Sequence, residues 1–353
     1  MQRRLTDLLS QNGRQTVNWN KGFSATFYAS EVDPKTWKDI DRIEIKGGSV
    51  SVSNEGLRNA ADIDCTDFDR TRELYVRVWM DARQTGETSA HIAMFTGLAS
   101  APDRELDGTR RDDKIQLCSV LQPCQDALLP RGWYAPAGAG ASVVIRDLLS
   151  STPAPVEIEG DTPALSDHIV AEDNENRLTM VDKILTAIGR RMSVRGDGVI
   201  LIRPQPETAS AIFDPLENDC IETRIRDTYD WKSAPNVFRA STDARSVTAM
   251  DTDENSMLSI SSRGREIWME ESDCNLNDGE SLESYAERRL KEEQAVRRKL
   301  SYTRRFMPDL LVTDVVDLRY PAQDIYGNFS IESQSISLGY GAPVSEEVVA
   351  WTR

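Results

Sequence analysis

At 353 residues, 39% hydrophobic and 28% charged, the chain has length for two or three domains with sizeable cores. Its formal net charge of −16, from 58 acidic and 42 basic residues, excludes a sequence-independent grip on nucleic acid, which needs clustered Lys and Arg to displace counterions. No stretch approaches the roughly 18 uninterrupted apolar residues of a membrane span. The N-terminal MQRRLTDLLSQNGRQ is too short in its apolar run, and broken by Asp7, for a signal peptide.

From about Val17 to Leu129 the pattern is β-like. RIEIKGGSVSVS alternates Ile43, Ile45, Val50 and Val52 around a turn or bulge at Gly47-Gly48. ELYVRVWMDA puts Leu74, Val76 and Val78 on one face, and Tyr75, Arg77 and Trp79 on the other. SAHIAMFTGLAS and DKIQLCSVLQ continue the alternation across the charged, turn-rich APDRELDGTRRDD. Short strands at even spacing predict an antiparallel barrel or sandwich.

The Gly- and Pro-rich RGWYAPAGAGAS reads as a connector. SVVIRDLLSS predicts a short helix, and LTMVDKILTAIG a longer one. In the latter Thr179 and Asp182 have capping-box spacing, Val181, Ile184, Leu185 and Ile188 share a face, and Gly189 is placed to end it. RRMSVRGDGVILIRP predicts a hairpin turning at Gly196-Asp197-Gly198.

A second β region runs from Phe213 to Asp273, with NVFRAST, SMLSISS and REIWMEE as strands. Ser281 opens the last helix, SLESYAERRLKEEQAVRRKL, whose thin stripe of Leu282, Ala286, Leu290 and Val296 suits a helix laid on a surface or wedged between subunits. Within it Glu293 and Arg297 form a favourable i,i+4 pair. KLSYTRRF, VTDVVDLRY and FSIESQSISL then read as strands.

Chemistry-bearing constellations are sparse. The sequence has no phosphate loop, no GxSxG elbow and no HExxH. His91, within a strand, and His168 are expected to be structural. EDNEN (Glu172 to Asn176) lacks the glycine and terminal acid of a calcium loop and reads as a solvated loop before a helix. The RGD at Arg195-Gly196-Asp197 is where a hairpin wants Gly and Asp. Cys65, Cys118, Cys124, Cys220 and Cys274 have no metal or redox spacing and are expected as reduced, mostly buried thiols of a cytoplasmic chain. The arginine pairs, Arg304-Arg305 among them, read as solvated faces and ion pairs. No catalytic, cofactor-binding or metal residue is assigned, and no enzyme activity is expected.

The order of these parts resembles the baseplate-hub, or tail-hub, proteins of tailed phages and related contractile injection machines. The likeness is carried by ASVVIRDLLS before LTMVDKILTAIGRRMSVRGDGVILIRP, and by NVFRAST, SRGREI, SLESYAERRLKEEQ and MPDLLVTDVVDL before FSIESQSISL. MFTGLASAPDRELDG fits more loosely, and together these cover about Ile40 to Leu338. Thr313 departs from the pattern, since such hubs often carry Gly before DVV.

The resemblance implies a mixed β-rich α+β fold, with two β-barrel-like hub domains bridged by α/β segments. The domains would be 1–130, a bridge at 131–210, and 211–353, the last with its helix at about 281–298 and a closing strand pair. It implies a homotrimer forming a ring at the distal end of the tail tube in a virion. Partners would be a tail tube or distal tail protein, a tape measure protein, and tail-tip or receptor-binding proteins, with DNA passing through unbound. The acidic segment ADIDCTDFD then offers Asp62, Asp64, Asp67 and Asp69 as channel lining, where like charge keeps phosphates from adsorbing. A host-binding tail-tip module and a tail-borne cell-wall hydrolase are the alternatives.

Overall fold

The computed structural model describes residues 17–353, apart from 55–58, 67, 70, 86–87, 108–109, 218–219, 230, 233, 243–244, 273, 275–280, 295–297 and 352–353. The N-terminal MQRRLTDLLSQNGRQ, Asp67, Val296 and Arg297 lie outside the described residues.

The first β region holds β1 (Ser24–Val32), β2 (Asp39–Ile43), β3 (Ile45–Ser53), β4 (Ala60–Cys65), β5 (Tyr75–Gln84), β6 (Thr88–Asp107) and β7 (Arg110–Ser119). An α/β module follows with α1 (Gln122–Asp126), β8 (Tyr134–Ala135), α2 (Ala141–Leu148), β9 (Val156–Ile158), β10 (Ile169–Val170), α3 (Arg177–Ala187), β11 (Arg190–Val194) and β12 (Ile200–Pro204). Next come β13 (Ala211–Phe213), β14 (Ile221–Tyr229), β15 (Val237–Ser241), β16 (Ser246–Met250), α4 (Ile260–Arg263), β17 (Trp268–Glu271) and α5 (Leu282–Gln294). The chain ends with β18 (Arg298–Arg304), β19 (Val315–Tyr320), β20 (Ile325–Ser337) and β21 (Val344–Ala350).

Two compact units result: Met1–Ile225 with Ser301–Arg353, and Arg226–Leu300. This division differs from breaks at 130 and 210, because the C-terminal strands return to the first β region. One large sheet runs β14-β18-β21-β20-β3-β4-β7-β6-β5-β1-β2, with β13 and β19 branching from β20. The alternation of β5 is as its sequence predicts, with Val76, Val78, Met80 and Ala82 all buried inward. The core of the first β region also takes in Phe306, Ile336, Leu338 and Val344 from the C-terminal segment.

Strand β20 makes this junction. Its first half pairs with β19, from Ile325↔Tyr320 to Ser330↔Val315. Its second half pairs with β3, from Ser333↔Ser53 to Ser337↔Ser49. A register shift between Ile331 and Ser333, in its pairing with β21, marks the passage from one partner set to the other. The closing strands thus continue the sheet of the first β region.

In the module, Ile145, Leu148, Met180, Val181, Ile184, Ile200 and Ile202 form one buried core. Helix α3 begins earlier than a Thr179 cap predicts: Asn176 is the N-cap, its side chain accepting from the Thr179 amide at 2.8 Å. Gly189, at φ +63°, ends the helix as expected.

In Arg226–Leu300, β16-β15-β17 form a sheet covered by α5. Leu282, Tyr285, Ala286 and Leu290 bury themselves with Phe238, Ala240 and Ala249. The described part of the thin α5 stripe is therefore buried against its own sheet. The described helix runs over Leu282–Gln294, and Arg298 already opens a strand. Its exposed side carries Arg288–Glu292 and Arg289–Glu293 pairs at 2.9 and 3.0 Å. SMLSISS is a turn leading into α4 rather than a strand, because Ser259 accepts from the Ser262 amide and caps that helix.

Thr313 sits at φ +76°. That conformation costs an L-residue roughly 1–2 kcal/mol and suits Gly. The Thr313 hydroxyl accepts from Arg191 Nη1 at 3.0 Å, and its carbonyl accepts from the same guanidinium. Relief of strain in Thr313→Gly is offset by the lost bond and the freer unfolded chain, each about 1 kcal/mol. Urea unfolding should therefore find Thr313→Gly within about 1 kcal/mol of wild type, and Thr313→Val, which keeps the strain and loses the bond, about 1–2 kcal/mol less stable.

Candidate functional site

The solvent face of the large sheet across β21, β20, β3, β4, β7 and β6 is built from small polar residues. β3 turns Val50 inward and leaves Ser49, Ser51 and Ser53 on the other side. Register then aligns them in rows across the strands. One row runs Ser337–Ser49–Asp62–Gln116–Ser100. The next holds Ser345, Ser335 and Ser51. Asp64, opposite Lys114, extends the acidic side, and Lys114 in turn faces Asp103.

Asp62, Asp64, Asp103, Lys114, Gln116 and Ser49 line one shallow concavity of about 430 Å³. Gly48, at φ +147°, forms part of its floor, and a Cβ there would run into the Asp62 carbonyl oxygen. Close backbone approach at the bulge is what brings the acidic strand alongside the serines. Of the proposed lining residues the structure unites Asp62 and Asp64. Asp69 lies in the following loop, where it accepts from the Thr71 hydroxyl at 2.6 Å and the Thr71 amide at 2.9 Å. Those bonds hold its carboxyl below the usual range. It does not line the concavity. The serine rows were not assigned from sequence, although the SVSVS alternation marks which residues leave the core.

A different surface occupies the β2-β1-β5-β6 end. His91 stacks on Trp79 with ring centroids 4.1 Å apart, its Nδ1 lies 2.7 Å from Asp81 Oδ1, and its Nε2 lies 3.4 Å from the Tyr28 hydroxyl. Arg42 covers the Tyr28 ring at 4.0 Å. The string Asp81–His91–Tyr28 has the connectivity of a relay, yet burial raises the Tyr28 pKa, so the phenol keeps its proton. It reads as a stacked surface ladder, in keeping with a structural His91. His168 accepts from the Ala137 amide at 3.3 Å and staples a loop.

The RGD tip is half-buried against the first β region. The Thr96 hydroxyl donates to the Gly196 carbonyl at 2.8 Å, and Trp37 Nε1 and Arg77 Nη2 donate to the Asp197 carbonyl at 2.9 and 3.1 Å. All five cysteines are free, four of them buried and Cys118 partly so. Burial, with Asp113 next, pushes the Cys65 thiol up to about 12. Among the described residues no group of three or more His, Cys, Asp or Glu is arranged to hold a metal ion. No described helix is long and apolar enough to cross a membrane.

A second concavity, about 330 Å³, lies where α3 and β11 meet Thr313, Ser330 and Trp351. Asp182 is its acidic lining residue, and burial pushes that carboxyl up to about 6. The ionised form is thus disfavoured in the folded state, so stability falls as pH rises from about 4 to about 6. The full shift is worth about 3 kcal/mol, reduced by residual solvent contact to about 1–2 kcal/mol. Thermal melts should find Asp182→Asn stabilised by about that amount at pH 7.5 and unchanged at pH 4.

No family model and no curated protein matches the sequence. Solved structures do. A 43 kDa tail protein of prophage MuSo2 from Shewanella oneidensis superposes with a TM-score of 0.64 at 13% identity, over 93% of this chain and 98% of that one. A tail protein from Neisseria meningitidis MC58 gives 0.64 at 12%, over 93% and 96%. A chain of the Francisella PdpA-VgrG complex gives 0.54 at 9%, over 94% of this chain and 58% of that one. Over 93% of the chain the β-rich fold is that of these tail proteins, and it recurs in part of the longer PdpA-VgrG chain.

Proposed function

We propose that the chain is a structural hub of a phage tail or baseplate, a homotrimer forming a ring at the distal end of the tail tube. The observation that carries this is the fold, shared with two tail proteins over nearly their whole lengths. Its neighbours in the virion would be a tail tube or distal tail protein, a tape measure protein, and tail-tip or receptor-binding proteins.

The Ser/Asp face is the wall presented to the DNA. Serine hydroxyls and carboxylates at Asp62, Asp64 and Asp103 offer phosphates no cation except Lys114 along the concavity. Like charge close to the wall keeps DNA moving instead of adsorbed. Asp69 is held in its own loop and has no part in this wall.

The test is the mass of the purified chain by light scattering, with negative-stain images of the peak. A trimer with a central hole is the expected result, alone or with its tail partners; a chain that stays monomeric with those partners ends the hub reading. Virions carrying Asp62→Lys and Asp64→Lys should assemble but eject DNA slowly, and added salt should restore the rate. A map of the assembly with Asp62 and Asp64 on the outer wall removes the wall role while leaving the hub intact.

A further inference from the structure

The cleft where α3 and β11 meet Ser330 holds a cation that no carboxylate among the described residues balances. Its lining includes Arg190, Arg191, Asn54, Gln205, Ser330 and Asp182, around a volume of about 330 Å³. The two guanidiniums differ in how far they are committed. Arg191 donates its Nε to the Pro204 carbonyl at 3.2 Å and its Nη1 to Thr313, and its Nη2 lies 3.1 Å from the carboxylate of buried Asp314. Arg203 shares that carboxylate at 3.3 Å, so Asp314 already serves two cations. Arg190 instead donates to the main-chain carbonyls of Glu159 and Asp161, which are neutral. Three of its five N–H groups are left without a partner among the described residues. The side chains of Asn54, Gln205 and Ser330, from three other segments, likewise make no hydrogen bond among the described residues.

A guanidinium anchored by neutral carbonyls keeps its charge for a ligand, and its planar set of N–H donors matches a carboxylate. The amides of Asn54 and Gln205 and the Ser330 hydroxyl add donors without adding charge. One uncompensated cation balances one negative charge, which suits a carboxylate better than a dianionic phosphate. The net charge of −16 also disfavours a polyanion far more than a single carboxylate. Asp182 is not the counter-ion: burial alone shifts its carboxyl, with no cation acting on it. We propose that this cleft receives the Asp or Glu side chain of a partner polypeptide, with Arg190 as its counter-ion and Asn54, Gln205 and Ser330 as neutral donors. The site lies within a single chain and does not depend on the ring.

Saturation-transfer NMR on the full chain tests it, with acetyl-glutamate amide and acetyl-aspartate amide as probes. Acetyl-glutamine amide is the neutral control and inorganic phosphate the competitor. At least one acidic probe should bind, on the order of 1–10 mM, while the glutamine compound does not. Arg190→Gln should abolish binding, and Arg190→Lys, which keeps the charge without the planar fork, should weaken it about tenfold. Asp182→Asn should bind at least as tightly as wild type, because it removes a like charge. Gln205→Ala and Ser330→Ala should each weaken binding about two- to tenfold. Absence of binding by both acidic probes, undiminished binding in Arg190→Gln, loss of binding in Asp182→Asn, or displacement by phosphate below the probe's own Kd would each overturn the proposal. Should Arg190→Gln fold poorly, Gln205→Ala and Ser330→Ala decide it, and unchanged affinity in both overturns it.

Discussion

Glu346→Ala should lower the stability of the large-sheet unit by about 3–5 kcal/mol, because it strands a buried guanidinium. Arg304 is 2% exposed and Glu346 1%. They meet through two parallel bonds, Nε to Oε2 at 2.9 Å and Nη2 to Oε1 at 2.8 Å. The Tyr302 hydroxyl donates to Oε2 at 2.8 Å, and Gln334 Nε2 donates to Oε1 at 2.8 Å, so each carboxylate oxygen accepts twice. Replacing both charges, as Arg304→Met with Glu346→Met, removes the stranded cation and should cost less than Glu346→Ala alone. Urea unfolding of the four-member cycle measures that difference, and equal losses in the single and double variants would refute it. The same network sets an alkaline limit. Burial, then Glu346, raises the Tyr302 pKa well above its usual value, so the phenol keeps its proton in the folded state. Stability should fall as pH rises past about 10, where the unfolded tyrosine ionises first.

Much of this arrangement is legible in the residues. Alternation finds the faces of β5 and of β3, the hydrophobic spacing finds α3, and the GDG turn finds the β11–β12 hairpin. Arg304 was within reach of the same logic, since Leu300, Tyr302 and Arg304 fall on one face of β18 and only the charge argued for solvent. What placed it inside was Glu346, 42 residues away, and pairing over that distance leaves no local pattern. The return of β20 to β3 is hidden for the same reason. Periodicity identifies a strand and its faces but not its partner, so the C-terminal strands looked like the end of a second barrel. Of the two readings of the thin α5 stripe, the helix laid on a surface is the one found, because its own sheet supplies a small surface that a small stripe can cover. The acidic strand illustrates both sides. Alternation places Asp62 and Asp64 together, whereas Asp69 follows the strand's end, where an aspartate finds Thr71 two residues on.

Gly196→Val should cost about 3 kcal/mol or more by prising the hairpin from the first β region. A Cβ at Gly196 would run into the Ala93 carbonyl oxygen, and one at Gly198 would meet the Trp37 ring at 2.7 Å. The tip fits only because both flanking residues lack side chains. Moving it away breaks the bonds from Thr96, Trp37 and Arg77 to its carbonyls, each worth about 1 kcal/mol. Overpacking adds about 1–3 kcal/mol. The residue between the glycines behaves oppositely. The Asp197 carboxylate pairs with Arg195 at 2.7 Å where both are substantially exposed, so Asp197→Asn should change stability by less than about 1 kcal/mol. An adhesive RGD would depend on its aspartate, whereas a docked hairpin depends on its glycine. Hydrogen exchange over residues 190–204, with urea unfolding, separates the two. Fast exchange in Gly196→Val beside native protection in Asp197→Asn is the expected pattern. Native protection in Gly196→Val would mean that the close approach at Ala93 does not hold the hairpin in place.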